Sequence, residues 1–288
     1  MKIRHREMVA GMIFAAPCIA GFAVFFAVPF IISVFYCFTE GISAISFVGF
    51  DNFKGLLESV SFRLAAMNTL KFNLISVPFI LLLSLAIALL LNSRLKYISI
   101  FKSLFILPLV IPVASIVLVW QILFGDYGAI NGILNAFNIE TVDWLNSSWS
   151  FFILVSLYVW KNCGYNIILF IAGLNSIPLD YYEAANIDGA GRLKRFLKIT
   201  VPYLIPTGFF VFIISIINSF KVFREAYLLA GSYPHQDIYM LQHFMNNNFD
   251  NLNYQRLSTA AFLIVSLIVI LVFFLFSFEE RYGMNFRN

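Results

Sequence analysis

One cation stands in the middle of an apolar run: Lys161, within Val159-Trp160-Lys161-Asn162-Cys163-Gly164-Tyr165-Asn166. If that run crosses a bilayer, a mid-membrane cation costs ~2.5–3.5 kcal/mol on insertion scales. Such a residue faces a bundle interior or water rather than lipid, and is a functional candidate by default. Trp160 and Tyr165 add aromatic faces, and Asn162 and Asn166 add amides. Aromatic faces pack on sugar C–H patches and amides pair with hydroxyls, so the group suits a polyhydroxylated ligand. Interhelical hydrogen bonding, often ~0.6 kcal/mol per pair, would use the same residues. The two readings stand side by side. A second polar group, Asn218, Ser219, Lys221 and Arg224, closes a later apolar run. It reads either as interfacial anchors or as cations and amides that meet a solute.

A different chemistry is written at Glu183–Pro202, EAANIDGAGRLKRFLKITVP. Ala184, Ala185, Gly189, Ala190 and Gly191 leave a nearly bare surface, which lets another protein's backbone come close. Glu183 and Asp188 can position the segment or pair with a partner, and Arg192, Lys194, Arg195 and Lys198 follow at once. Pro178 falls in the first turn of the predicted helix, where it is tolerated. Gly189 is placed to make the turn before a second, basic helix.

The elements that carry these groups follow from composition. Hydrophobic residues make up 61% and charged residues 12% of the 288, far from the ~45–50% and ~25% of soluble domains. Six stretches reach the ~20 residues needed to cross ~30 Å of hydrocarbon as helix, near 9–37, 69–91, 100–124, 150–173, 204–223 and 259–278. The expected fold is one all-α membrane domain over 1–288, with a cytoplasmic loop at 175–203. The first stretch follows Lys2, Arg4 and Arg6 but is much longer than a signal-peptide core, so it reads as a retained helix. The larger share of the Lys and Arg, including Arg94, Lys96, Lys102 and Arg287, falls on the side that holds both termini and the 175–203 loop. That side is therefore read as cytoplasmic. Pro78, Pro108 and Pro112 lie inside predicted spans, as packing kinks or as bends along a pathway.

Several classes lose ground. The chain has no G-x-x-x-x-G-K-[ST] phosphate loop and no H-E-x-x-H. Cys18, Cys37 and Cys163 stand apart without metal or redox spacing. No nucleophile and base stand out for a multi-spanning enzyme. An ion-coupled secondary transporter needs carboxylates within the membrane, and the predicted spans hold no clear Asp or Glu.

From about 10 to 280 the chain resembles the permease subunits of binding-protein-dependent ABC importers, of the maltose-type carbohydrate branch. Glu183-Ala184-Ala185, Asp188-Gly189-Ala190, Ile199 and Pro202 match that family's cytoplasmic signature. Phe47–Phe53, Asn68-Thr69-Leu70, Leu107-Pro108 with Ile111-Pro112, Asp126-Tyr127-Gly128 and Trp160-Lys161 with Gly164-Tyr165-Asn166 fit its flanks. The first span and its outer segment are similar to those of the first of the two permeases in such systems. The resemblance implies a six-helix bundle and a heterodimeric core with a second permease subunit. It also implies a cytoplasmic ATPase dimer that alone holds ATP and magnesium, and an extracytoplasmic solute-binding protein. No catalytic residue, metal or cofactor is expected in this chain.

The implied location is a prokaryotic cytoplasmic membrane. Glu183, Ala184, Ala185, Asp188 and Gly189 would couple to the ATPase, and Trp160, Lys161, Asn162, Tyr165, Asn218 and Ser219 would lie on the substrate pathway. The implied solute is a mono- or oligosaccharide, with a glycerol-phosphate-like solute as the alternative because Lys161, Lys221 and Arg224 could meet a phosphate. Ala230-Gly231-Ser232-Tyr233-Pro234 departs from the family's usual Thr-x-Gly-Gly-Pro turn.

Overall fold

The computed structural model of the chain describes residues 2–41, 45–92 and 98–283; Arg94, Lys96 and Arg287 of the charge argument lie outside them. Among the described residues, six helical segments are long and apolar enough to cross a membrane. In hydrocarbon every backbone polar group needs an internal partner, and continuous helix supplies it within one segment.

In chain order, α1 (Lys2–Phe22), a π segment (Ala23–Ala27) and α2 (Val28–Cys37) form one helical run. It is followed by the short antiparallel strands β1 (Thr39–Glu40) and β2 (Ser46–Phe47). Next come α3 (Asp51–Glu58), α4 (Val60–Leu91), α5 (Ile98–Val110), α6 (Val113–Phe124), α7 (Ala129–Ala136) and α8 (Trp149–Asn175). Then follow α9 (Leu179–Ile187), α10 (Arg192–Arg195), a second π segment (Phe196–Thr200) and α11 (Val201–Phe220). The chain closes with α12 (Phe223–Ala230), a 3₁₀ turn (Gln236–Ile238), α13 (Leu241–Asp250) and α14 (Tyr254–Gly283).

Prolines explain the irregularities. A proline removes one N–H and crowds the carbonyl four residues back. Pro29 and Pro202 each follow a π segment at the same offset, and the crowded carbonyls of Phe25 and Lys198 fall inside those segments. Widening by one residue relieves the clash without breaking the helix. Pro112 does more. The third predicted span, 100–124, is not one helix: α5 stops at Val110 and Pro112 is extended (ψ 136°) as the N-cap of α6. The proline cannot donate, so the helix restarts instead of kinking. The second span also begins earlier than 69, because α4 carries polar residues back to Val60.

The chain divides into two compact units, Met1–Arg63 with Phe244–Val269, and Leu64–His243 with Ile270–Asn288. In the first, Asn52 of α3 donates its amide N–H groups to the carbonyls of Cys37 (3.1 Å) and Thr39 (2.9 Å). It thereby satisfies acceptors left open where α2 ends. Phe38, Phe50, Phe53 and Phe262 form an aromatic chain around it.

The second unit is built around α8. Of the apolar windows in the six segments, that of α8 is the most buried, 61% against 0% for Gly11–Cys37. Its core joins Phe72 and Ile80 of α4, Leu154, Tyr158, Ile167 and Phe170 of α8, and Val211 of α11. Gly164 lets α5 and α8 meet: a Cβ there would lie 1.7 Å from the Phe105 carbonyl oxygen. Small residues allow such backbone approach in membrane bundles. The turn-rich stretch 125–149 turns at Gly125–Gly128 and then forms α7. The buried Asn131 ties it down, donating to Val142 O (2.9 Å) and accepting from Val142 N (3.1 Å) and Trp144 Nε1 (3.0 Å).

Candidate functional site

Lys161 lies midway along α8, where burial would leave its charge unpaid without a counter-ion. The counter-ion is Glu225 of α12, whose Oε1 accepts from Lys161 Nζ. Sequence reasoning missed Glu225 because it follows the apolar run 204–223 and reads as interfacial. The helical run Arg192–Ala230 carries it into a candidate span, which corrects the expectation of no carboxylate there. One signal was available: between Asp188 and Asp237 the sequence holds no other acid, and a mid-span cation demands one. Being paired with Lys161, Glu225 does not act as the free carboxylate that ion coupling requires.

Beside the pair lies a cavity of about 110 Å³, lined by Leu109, Tyr158, Lys161, Asn162, Asn218, Lys221, Val222, Arg224 and Glu225. The structure thus brings together Lys161, Asn162 and Asn218 from the predicted pathway, with Lys221 and Arg224. Trp160, Tyr165 and Ser219 are not among the lining residues. Trp160 is half-exposed and its ring lies 6.4 Å from that of Trp120. Tyr165 is also partly exposed. Ser219 is buried, its hydroxyl within hydrogen-bond reach of Asn73 Oδ1 and the Ile216 carbonyl, to one of which its single O–H donates.

The wall of the cavity is fixed by hydrogen bonds between α8 and α11. Tyr158 donates to the Ser215 carbonyl (2.7 Å), and Asn166 Nδ2 donates to Ser215 Oγ (2.9 Å). Asn162 donates back to the Tyr158 carbonyl in its own helix (2.8 Å). Leu109 reaches the cavity from the last turn of α5, next to the break at Ile111–Pro112. Interrupted helices beside a polar cavity are how membrane proteins hold irregular backbone at depth.

The segment 175–203 has the opposite character. No residue of α9 or α10 is buried. Pro178 is the N-cap of α9 (ψ 135°), one residue before the predicted first turn, because its extended backbone belongs outside the helix. At the other end Gly189 takes φ +72°, donating to Asn186 O (3.1 Å) while Ala190 donates to Ala185 O (2.9 Å). This is a Schellman cap, which favours glycine at the left-handed position. A Cβ on Gly189 would meet nothing within 4 Å, so conformation rather than space selects glycine. Tyr182 shares a hydrogen bond with Thr200 (2.8 Å), and Arg195 donates to Asn186 (2.8 Å), holding the turn against the following helix. Glu183, Ala184, Asp188 and Gly189 are exposed and Ala185 half-buried, and Ile187 is 87% exposed.

Among the described residues, six helical segments long and apolar enough to cross a membrane, a polar cavity and an exposed turn describe a multi-pass membrane protein. The sequence profile described as binding-protein-dependent transport system inner membrane component matches residues 80–281, and the chain belongs to that family of ABC importer permeases. It is 36% identical over 231 residues to the arabinooligosaccharides transport system permease protein AraP of Bacillus subtilis (strain 168), covering 78% of this chain and 73% of that protein. It is 32% identical over 238 residues to the trehalose/maltose transport system permease protein MalF of Thermococcus litoralis, covering 81% of each. In fold it is similar to a chain from the crystal structure of a bacterial ABC transporter that imports alginate (TM-score 0.83, 23% identity, 97% of both chains).

Proposed function

We propose that this chain is the membrane-spanning permease of an ATP-driven, binding-protein-dependent importer that carries a mono- or oligosaccharide across the cytoplasmic membrane by alternating access. Membership of the permease family supports the transport role. The sugar permeases among its relatives support the solute class.

In this reading Glu183, Ala184, Ala185, Asp188 and Gly189 are the face that an ATPase subunit grips. ATP and magnesium reside on that ATPase dimer, a second permease completes the membrane core, and an external binding protein delivers the solute. Both termini and the 175–203 loop are cytoplasmic. Lys161, Asn162 and Asn218 lie on the solute pathway, with Trp160, Tyr165 and Ser219 flanking it. The observation that carries the reading is the α9 turn. In a chain this apolar, exposed Ile187 and Leu193 beside small residues and a fixed Schellman glycine make a surface suited to a protein partner.

The test is purification of the tagged chain from its native membrane, with identification of what accompanies it. The expected companions are an ATPase and a second, different permease. A chain that purifies alone and drives uptake with an ion gradient contradicts the proposal.

A further inference from the structure

All four tryptophans of the chain, Trp120, Trp144, Trp149 and Trp160, stand in one connected run of rings. Trp160 of α8 lies 6.4 Å from Trp120 of α6, and Trp120 lies 5.2 Å from Phe124, one turn further along α6. Phe124 lies 6.0 Å from Trp144, and Trp144 lies 5.5 Å from Trp149 at the start of α8. Trp149 in turn lies 6.2 Å from Phe152. All six residues belong to the second compact unit. Trp120, Phe124 and Trp144 are anchored on one side against the core of Ile116, Val117 and Leu157. Trp149, Phe152 and Trp160 are 49%, 59% and 48% exposed.

Depth separates this run from an interfacial belt, in which Trp and Tyr gather at the level of the headgroups. Trp149 and Trp160 are eleven residues apart on one continuous helix. That spacing is about 16 Å of rise, roughly half of a ~30 Å hydrocarbon layer. The run therefore descends from the end of a candidate span to the neighbour of Lys161.

Hydrogen bonding separates it from a lipid-facing surface. Trp144 donates its indole N–H to Asn131 (3.0 Å). Among the described residues, the indole N–H groups of Trp120, Trp149 and Trp160 have no partner. Acyl chains would pack on the rings but leave these donors bare at membrane depth, which is costly. Water would take the donors but gains nothing from a row of apolar faces. A saccharide answers both: its C–H groups pack on an aromatic face, and its hydroxyls accept from an N–H.

We infer that Trp120, Phe124, Trp144, Trp149 and Phe152 form a row of saccharide-stacking subsites that leads from the start of α8 to Trp160 and the polar cavity. The inference rests on the carbohydrate reading above and adds to it a site distinct from the Lys161 cavity. Successive rings are 5.2 to 6.4 Å apart, so a sugar leaving one ring meets the next. The row tolerates different sugars, because each offers a C–H face.

The test is hydroxyl-radical footprinting, in which mass spectrometry reads the oxidation of each indole. It is applied to the assembled importer in lipid nanodiscs, with and without millimolar maltotriose, xylotriose or arabinotriose. Tyr127, fully exposed and outside the run, corrects for radicals that the sugar itself consumes. Trp149 and Trp160 are expected to be oxidised without sugar and shielded by at least one of the three. In W149A/F152A the sugar concentration that half-shields Trp160 is expected to rise roughly tenfold, the scale of one aromatic contact. Both replaced side chains are half-exposed, so the variant leaves the core intact.

Indoles that resist oxidation without sugar are covered by lipid or by a partner subunit, and that result overturns the inference. Shielding of Trp160 that W149A/F152A leaves unchanged also overturns it. So does the absence of shielding by all three sugars. ATP-driven uptake of any of them by the importer with its binding protein would then leave carbohydrate import standing. Uptake of a non-carbohydrate alone would remove both readings.

Discussion

Two glycines, Gly164 in α8 and Gly189 after α9, show how differently two regions of one chain use the same residue. At Gly164 the reason is space: the α5 backbone lies where a side chain would begin. At Gly189 the reason is conformation: the surroundings are open and only φ +72° is demanding. The contrast extends to their neighbourhoods. Around α8 the polar groups are answered within the chain, Lys161 by Glu225, Tyr158 and Asn166 by Ser215. Along α9 and α10 the small, charged and apolar residues face outward, and the turn is rigid without being buried. In the proposed reading the enclosed groups set a solute environment and the outward ones meet a partner.

One severe way to break this contrast is Gly164→Ala. A backbone carbonyl cannot rotate aside as a side chain can, so α5 and α8 must separate. We expect the upper end of the ~1–3 kcal/mol range for overpacking, or more, seen as loss of folded protein in detergent. Gly189→Ala, by contrast, should cost only the ~1–2 kcal/mol of a left-handed residue and leave expression near normal. Equal losses at the two positions would dissolve the distinction.

Glu225→Gln comes next. It leaves Lys161 partly buried without its counter-ion, a loss of about 3–5 kcal/mol where one partner of a buried pair is removed. Adding Lys161→Met should restore most of the thermal stability. Glu183→Gln on the exposed α9 should move it by no more than about 0.5 kcal/mol. If the Lys161→Met addition fails to rescue, the pair is not what stabilises the junction of α8 and α12.

A further contrast is a pH dependence at His243. Its ring lies among Phe223, Tyr227 and Tyr239, and its Nδ1 accepts from Met240 N (3.1 Å). Burial pushes its pKa from 6.5 down to about 4. Between those values the unfolded chain binds the proton and the folded chain does not. Stability from this group is therefore full above about pH 6.5 and falls as pH drops towards 4. Thermal melts across that window should show the slope, and His243→Phe should flatten it.

Much of this was legible beforehand, for physical reasons. Spanning helices need only length and apolarity, so the number of candidate spans and the isolated Lys161 could be read directly. The Schellman glycine was also local: Ala185, Asn186, Gly189 and Ala190 make the cap among themselves. What escaped depends on distant partners. Glu225 gains its meaning only from Lys161, 64 residues earlier in the chain. The break at Ile111–Pro112 looked like another kink because a proline's sequence context does not say whether the helix continues. The short helices α7, α12 and α13 lie outside the long apolar runs, where eight to ten residues carry too little periodicity to read. The asparagines that fasten such stretches, Asn52, Asn131 and Asn68, act through loop carbonyls that no periodicity reveals.

The central claim is that the α9 turn transmits force while the α8 cavity handles solute. Gly189→Asp tests it most directly, because an aspartate tolerates the left-handed backbone and places charge on the proposed grip. ATP hydrolysis and solute uptake should be measured together in proteoliposomes holding the assembled importer and its binding protein. The account predicts an assembled complex that still hydrolyses ATP but no longer moves solute. Normal uptake by that variant would contradict it.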